Sequence, residues 1–253
     1  MTRRRTPVLA AVALALGLTG AVAPAVASTP IASTPIAGRS AADAVMLGDS
    51  APVGNAPYRF SAKLDGRPVR WNPCTPIHWQ FTPGGGPRGG FGVVTRAVNR
   101  VSAVTGTRWV LDGIVGSAPT TRWLPNSPAA SRPVLIGWSD AAHSDLLSGQ
   151  PRLVLGVTRT AWFGTDDHRG HRVAAMRAAV IALDRTDRLP LTGGASWRSV
   201  VLHELGHTMD LDHVADGRQL MSAVLPRGAA DYAAGDLAGL SRLGRQAGCV
   251  NVP

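Results

Sequence analysis

The stretch His203-Glu204-Leu205-Gly206-His207-Thr208-Met209-Asp210-Leu211-Asp212-His213 decides how this chain is read. On a helix, residues four apart stand one turn above each other on one face. His203 and His207 therefore offer two imidazole nitrogens to a single ion. Glu204 points beside that ion rather than at it and can take a proton from a metal-bound water. It is also the only glutamate in the 253 residues; the other 15 acidic side chains are aspartates. If the helix ends near Asp210 and the chain turns back, His213 supplies a third imidazole. Three protein ligands leave a fourth position open, as in a catalytic rather than a closed structural zinc site. With seven histidines and one glutamate, such a His-Glu-x-x-His arrangement arises by chance in roughly one chain in a thousand.

Working outward, residues 178–184 read as a buried strand and Ser196 as the N-cap of the helix that carries the histidines. Upstream, strands are predicted at 70–71, 77–81, 108–111, 134–138 and 153–157. A helix over 91–105 presents Val94, Ala97, Val98, Val101 and Val104 at helical spacing and ends at Gly106. A last short helix is expected over 235–243. Gly84-Gly85-Gly86 lacks both phosphate-loop patterns and reads as a flexible turn. The mixed order makes the fold class α+β.

With these motifs on the page, the chain resembles the metzincin metallopeptidases, whose signature is HExxHxxGxxH followed by a methionine turn. Met221, eight residues after His213, gives matrixin-like spacing. The tail 235–244 is similar to the closing matrixin helix, with Asp236 as its acidic start. The resemblance covers about residues 196–244. It implies a twisted mixed sheet with a backing helix and an active-site helix, and a small C-terminal subdomain. It also implies one catalytic zinc on His203, His207 and His213, with Glu204 as the catalytic residue. Met221 would be a hydrophobic floor and not a ligand. The implied activity is endopeptidase, with an extended peptide lying along an edge strand near residues 153–163 by strand addition. One position departs from the signature: Asp210 stands where the family has glycine, and the turn there needs positive φ. A glutamate third ligand is excluded, whereas Asp212 or Asp216 remains an alternative to His213. Ala223 occupies the place where related branches carry a fifth-ligand tyrosine. The alternative to a peptidase is a catalytically idle binding module of the same fold.

Residues 1–27 read as a signal peptide: Arg3-Arg4-Arg5, an apolar run from Val8 to Val22, and Ala25-Val26-Ala27 as a small-x-small cleavage site. Export to the extracellular space follows, with no membrane span in the mature form. Residues 28–57 repeat Ser-Thr-Pro-Ile-Ala twice and read as a disordered linker or short pro-segment. Residues 58–253 form the candidate catalytic domain. In an oxidising compartment Cys74 and Cys249 are expected to pair, the competing role being Cys74 as a latency thiol on the metal. The net charge of +10 comes from scattered arginines, Lys63 being the only lysine. That reads as a solvated face rather than a nucleic-acid surface. A monomer acting on protein or peptide is expected. Asp166-Asp167-His168-Arg169-Gly170-His171 reads as a polar loop before a second metal site, His78 and His143 have no ligand pattern, and the internal Leu189-Pro190-Leu191-Thr192-Gly193 matches a sorting signal only by letter.

Overall fold

The computed structural model describes residues 25–32, 57–127, 130–166, 170–225, 228 and 230–250. Among these residues the strands run in chain order as β1 (Ala25–Ala32), β2 (Arg59–Phe60), β3 (Lys63–Leu64), β4 (Arg67–Pro68), β5 (Ile77–Thr82), β6 (Trp109–Ile114), β7 (Val134–Ser139), β8 (Val154–Asp166), β9 (Arg172–Asp184) and β10 (Leu211–Asp212). The α-helices described are α1 (Gly90–Thr105), α2 (Trp197–Thr208) and α3 (Ala234–Leu243). The expected signal peptide lies outside the described residues up to position 24, and the expected linker does so over 33–56.

The main sheet is mixed. Five strands stand in the order β6-β5-β7-β9-β8; the first four are mutually parallel, and β8 runs antiparallel to β9. β1 adds to the outer edge of β8, antiparallel, as a sixth strand. The first five residues expected in the linker, 28–32, therefore lie on the sheet. The α+β class holds.

Strand alternation divides the apolar residues between two faces. Val134, Ile136 and Trp138 of β7 face α1 and α2, while Leu135 turns to the other side. β9 changes parity midway: Ala174 and Met176 share the helix face with Ala179, Ile181 and Leu183. The register explains it. Ala161 pairs with Ala178 and Trp162 with Met176, so β9 holds one extra residue at Arg177, a bulge that switches faces. β8 and β9 each run 13 residues, well past the apolar cores at 153–157 and 178–184 that sequence reading finds. Residues 70–71 are not a strand of the sheet; Arg70 makes a single bridge to Ala175.

α1 buries Val93, Val94, Ala97, Val98 and Val101, and Gly106 closes it in the left-handed conformation at φ 67°. The glycine loop before it is moulded rather than flexible: a Cβ at Gly86 would lie 2.4 Å from the Trp138 ring. Trp138 in turn meets Trp197, the first residue of α2, edge-on at 5.9 Å. The loop, β7 and the start of α2 are thus locked through one indole.

Cys74 and Cys249 form the expected disulfide, with Cα atoms 5.4 Å apart. It is not an isolated staple. Arg70 donates to the carbonyls of Gly248 (2.6 Å) and Ala247 (3.1 Å), and Val250 N–H donates to Asn72 Oδ1. Among the described residues no helix is long and apolar enough to cross a membrane. The bond spans 175 residues of chain, so its removal should release a large unfolded-state entropy. Replacing both cysteines by serine is expected to lower the unfolding free energy by about 2–5 kcal/mol in denaturant titration. A loss under about 1 kcal/mol would show that the arginine and asparagine contacts alone hold the tail.

Candidate metal centre

α2 begins at Ser196, as its sequence predicts. The Ser196 hydroxyl accepts from Ser199 N–H, and Ser199 Oγ accepts from Ser196 N–H at 2.9 Å, a reciprocal cap. All of its twelve residues except Arg198 are buried. It ends at Met209, and Asp210 follows with φ 88°. Aspartate thus takes the left-handed turn that glycine makes freely, at a cost of about 1 kcal/mol. Its neighbours offset that cost: Ala62 N–H donates to Asp210 Oδ1 (3.1 Å) and Ser61 N–H to its carbonyl (2.9 Å). The chain then enters β10, which pairs with β2, and delivers His213.

The three imidazoles meet. His203 Nε2 lies 2.9 Å from His207 Nε2 and 3.1 Å from His213 Nε2. Their ligand atoms all fall within 4.8 Å of one another, and the three rings are at most 3% exposed. The tautomers follow from the second nitrogens. His203 Nδ1 is 2.6 Å from the Leu220 carbonyl and His207 Nδ1 is 2.7 Å from the Leu211 carbonyl. A carbonyl only accepts, so both Nδ1 atoms carry the proton and both Nε2 atoms present bare lone pairs. Two bare lone pairs at 2.9 Å repel. A cation between them removes the conflict, and ligand bonds of about 2.0–2.1 Å in a tetrahedral site need only a slight opening of these rings. The three histidines can hold a metal ion.

Burial pushes all three histidines toward the neutral form. His203 and His207 fall well below the ordinary value through desolvation, then through their histidine neighbours. His213 drops to about 4, again mainly by burial, with Asp212 pulling up and Arg59 pushing down. The aspartate alternatives are otherwise engaged: Asp212 receives Arg59 (3.3 Å) and His213 N–H (2.8 Å), and Asp216 receives Arg218.

Glu204, next to His203 on α2, is fully buried. Thr158 of β8 donates its hydroxyl to Glu204 Oε2 at 2.6 Å; among the described residues Oε1 has no hydrogen-bond partner. Burial lifts this carboxyl to about 8, with the threonine bond pulling the other way. Gly156 makes room for it, since a Cβ there would sit 2.8 Å from Oε1. Met221 is buried, and its Sδ lies so close to Gly206 that a Cβ on that glycine would be 2.4 Å away. It lies against the helix at Gly206, between the two histidine turns.

Thr158, Gly156 and Asp236 are structural members of the site that motif reading does not assign. Asp236 accepts from the N–H groups of Leu220 (2.8 Å), Met221 (3.3 Å) and Ala233 (2.9 Å), tying the methionine turn to the start of α3. Only Asp236 carries a sequence signal, as the acidic residue opening that helix. The weaker histidines stand apart: His78 pairs with Asp112 and His143 with Asp140, each at 2.6 Å. His168 lies outside the described residues. No protein-family profile matches the chain, and no curated protein matches it either.

Two outcomes test this geometry. Asp210 is lifted to about 9 by burial, far above its unfolded value near 4. Between those values the folded chain keeps a proton that the unfolded chain releases, so this group lowers stability as pH rises through the window. Asp210→Asn keeps an acceptor for Ala62 N–H, tolerates the turn and does not titrate. With chelator present, its stability advantage over the parent should grow by about 1–3 kcal/mol from pH 5 to pH 8 in urea melts; a constant difference would contradict an Asp210 that stays protonated. Zinc uptake at pH 6 supplies the second. Three ordinary imidazoles would release roughly two protons there. Rings already neutral release almost none, leaving about one proton from Glu204 as the cation arrives. Calorimetry in buffers of different ionisation enthalpy should count about one proton for the parent and about none for Glu204→Gln.

Proposed function

We propose that the chain is a secreted, monomeric, zinc-dependent endopeptidase of the matrixin-like metzincin type. The observation that carries this reading is the convergence of the Nε2 atoms of His203, His207 and His213, next in the chain to its single glutamate. An all-imidazole donor set suits zinc. Zinc bound there would supply a Lewis acid for the scissile carbonyl and an acidified water. Glu204 Oε1, the carboxylate oxygen not held by Thr158, would take a proton from the attacking water and return it to the departing amine. Thr158 fixes the plane of that carboxylate by holding Oε2. The disulfide and the signal-like N-terminus support export, and the scattered arginines argue against a nucleic-acid partner.

A second reading, a catalytically idle binding module, draws on one observation: Glu204 has no exposed surface in the full chain. Glu204→Gln separates the two. The peptidase reading expects the variant to keep one zinc per chain, by metal analysis, while cleavage of an unstructured protein falls about a thousandfold or more. Chelation should abolish parental cleavage and zinc should restore it. Zinc-loaded parent protein that cleaves no member of a peptide library would instead establish the binding module.

A further inference from the structure

The parallel strands of the main sheet do not start level. β7 begins at Val134, opposite Trp79, whereas β5 starts earlier at Ile77 and β9 reaches back to Arg172. Where β7 has not yet begun lies a cavity of about 380 Å³, a size that suits a small ligand. Its charged and titratable lining is His78, Asp112, Arg132 and Arg177. Trp71, Ile77 and Met176 contribute an apolar wall. The cavity shares no residue with the three imidazoles or with Glu204. We propose that it is a binding site for a small organic anion, a carboxylate or phosphate monoester carried on an apolar body. The proposal stands apart from the peptidase reading.

Both guanidinium groups are fixed by aromatic rings. Arg132 lies over Trp123 at 5.5 Å and Arg177 over Phe163 at 4.3 Å. Trp123 is itself held, donating its indole N–H to the Pro133 carbonyl at 2.7 Å. A stacked guanidinium still offers N–H donors along its edge, and that planar fork matches a carboxylate or phosphate bidentately. The backbone brings the two arginines together, because Arg132 N–H donates to the Arg177 carbonyl at 2.9 Å. Arg177 is also the extra residue of β9, and bulges re-aim side chains next to functional sites. Among the described residues Asp112 is the one carboxylate in the lining, and it is committed to His78, whose Nδ1 lies 2.6 Å from its Oδ1. Two guanidinium groups against one carboxylate leave the cavity positive. Burial pulls Arg177 below its ordinary value through desolvation, and an anion in the cavity acts in the opposite direction. Trp71 is anchored too: its indole N–H donates to the Thr208 carbonyl at 2.8 Å. The apolar wall is therefore preformed, and a bare inorganic ion gains nothing from it.

The test is binding to the full chain with chelator present, so that no metal at the histidines holds the anion. NMR titration, followed at the indole N–H signals of Trp71 and Trp123, should show saturable binding of phenyl phosphate and benzoate with Kd of about 1 mM or tighter. Benzamide, the neutral counterpart of benzoate, and inorganic phosphate, which lacks the apolar body, should each bind at least about tenfold more weakly. The tighter of phenyl phosphate and benzoate identifies which anion the site takes. Arg132→Gln and Arg177→Gln should each weaken the tighter probe by about tenfold or more. Arg132→Gln keeps the backbone bond to Arg177, so it decides the matter even if Arg177→Gln does not fold. Arg218→Gln, at an exposed arginine outside the cavity, should bind as the parent does. Equal affinity for benzoate and benzamide, parental affinity in Arg132→Gln, or an equal loss in Arg218→Gln would each overturn the site, as would no binding of any probe. Because metal is absent throughout, failure here leaves the peptidase reading standing.

Discussion

Two protonated Nδ1 atoms, each committed to a backbone carbonyl, are the constraint on which the rest of the structure depends. They force His203 and His207 to aim bare Nε2 lone pairs at each other across 2.9 Å in a buried site. Burial drives the rings away from protonation, so a proton cannot bridge them cheaply. The folded chain therefore holds an electrostatic conflict that a divalent cation relieves. Binding free energy at such a site adds directly to folding free energy, because the unfolded chain has no comparable arrangement.

Each orienting carbonyl is itself held. The Leu211 carbonyl accepts from His207 Nδ1 and also from the Ser61 hydroxyl at 3.0 Å. The Leu220 carbonyl belongs to a residue whose N–H donates to Asp236, and Gln219 Oε1 accepts from the N–H groups of Gly235 and Asp236. The buried Tyr232 hydroxyl reaches the Leu202 carbonyl at 2.5 Å, securing α2 from the same side. Residues 61–62 and the start of α3 thus clamp the two ends of the segment 209–221, which carries His213. Buried carboxylates are costly unless hydrogen-bonded. Asp236 meets three backbone amides, whereas Asp210 and Glu204 each leave one oxygen without a partner among the described residues. In all three, burial outweighs the hydrogen bonds and the carboxyl is pushed upward.

Local signals made much of this legible. The serine cap before α2, the valine spacing of α1, the glycine that closes it and the apolar cores of β5, β7 and β9 all act within a few residues, so periodicity and capping rules reach them. The convergence of His203, His207 and His213 was legible for the same reason, with Asp210 tolerating the turn its position demands. The cysteine pair was legible from compartment and parity. What sequence reading missed depends on pairing. The outer halves of β8 and β9 are rich in threonine, arginine and small residues, and they become strand because each lines the other. The bulge at Arg177 exists only relative to its partner. The Thr158–Glu204 bond joins residues 46 apart and has no motif. The hairpin of β3 and β4 was readable in principle: Asp65-Gly66, at φ 49° and 77°, is a favoured two-residue turn.

β8 carries two demands on opposite sides of one backbone, and this explains its unusual sequence. Toward α2 it must be small at Gly156 and hydroxylated at Thr158 to accommodate and hold a carboxylate. Away from β9 it presents a row of backbone hydrogen-bonding groups, and β1 pairs with them. A long open edge of that kind invites pairing between chains. The opposite edge, β6, is short at six residues, though Leu111 and Ile114 are exposed on it. β8 runs 13 residues, and β1 pairs along its outer edge from Val154 to Trp162, so the longer edge of the sheet is covered there.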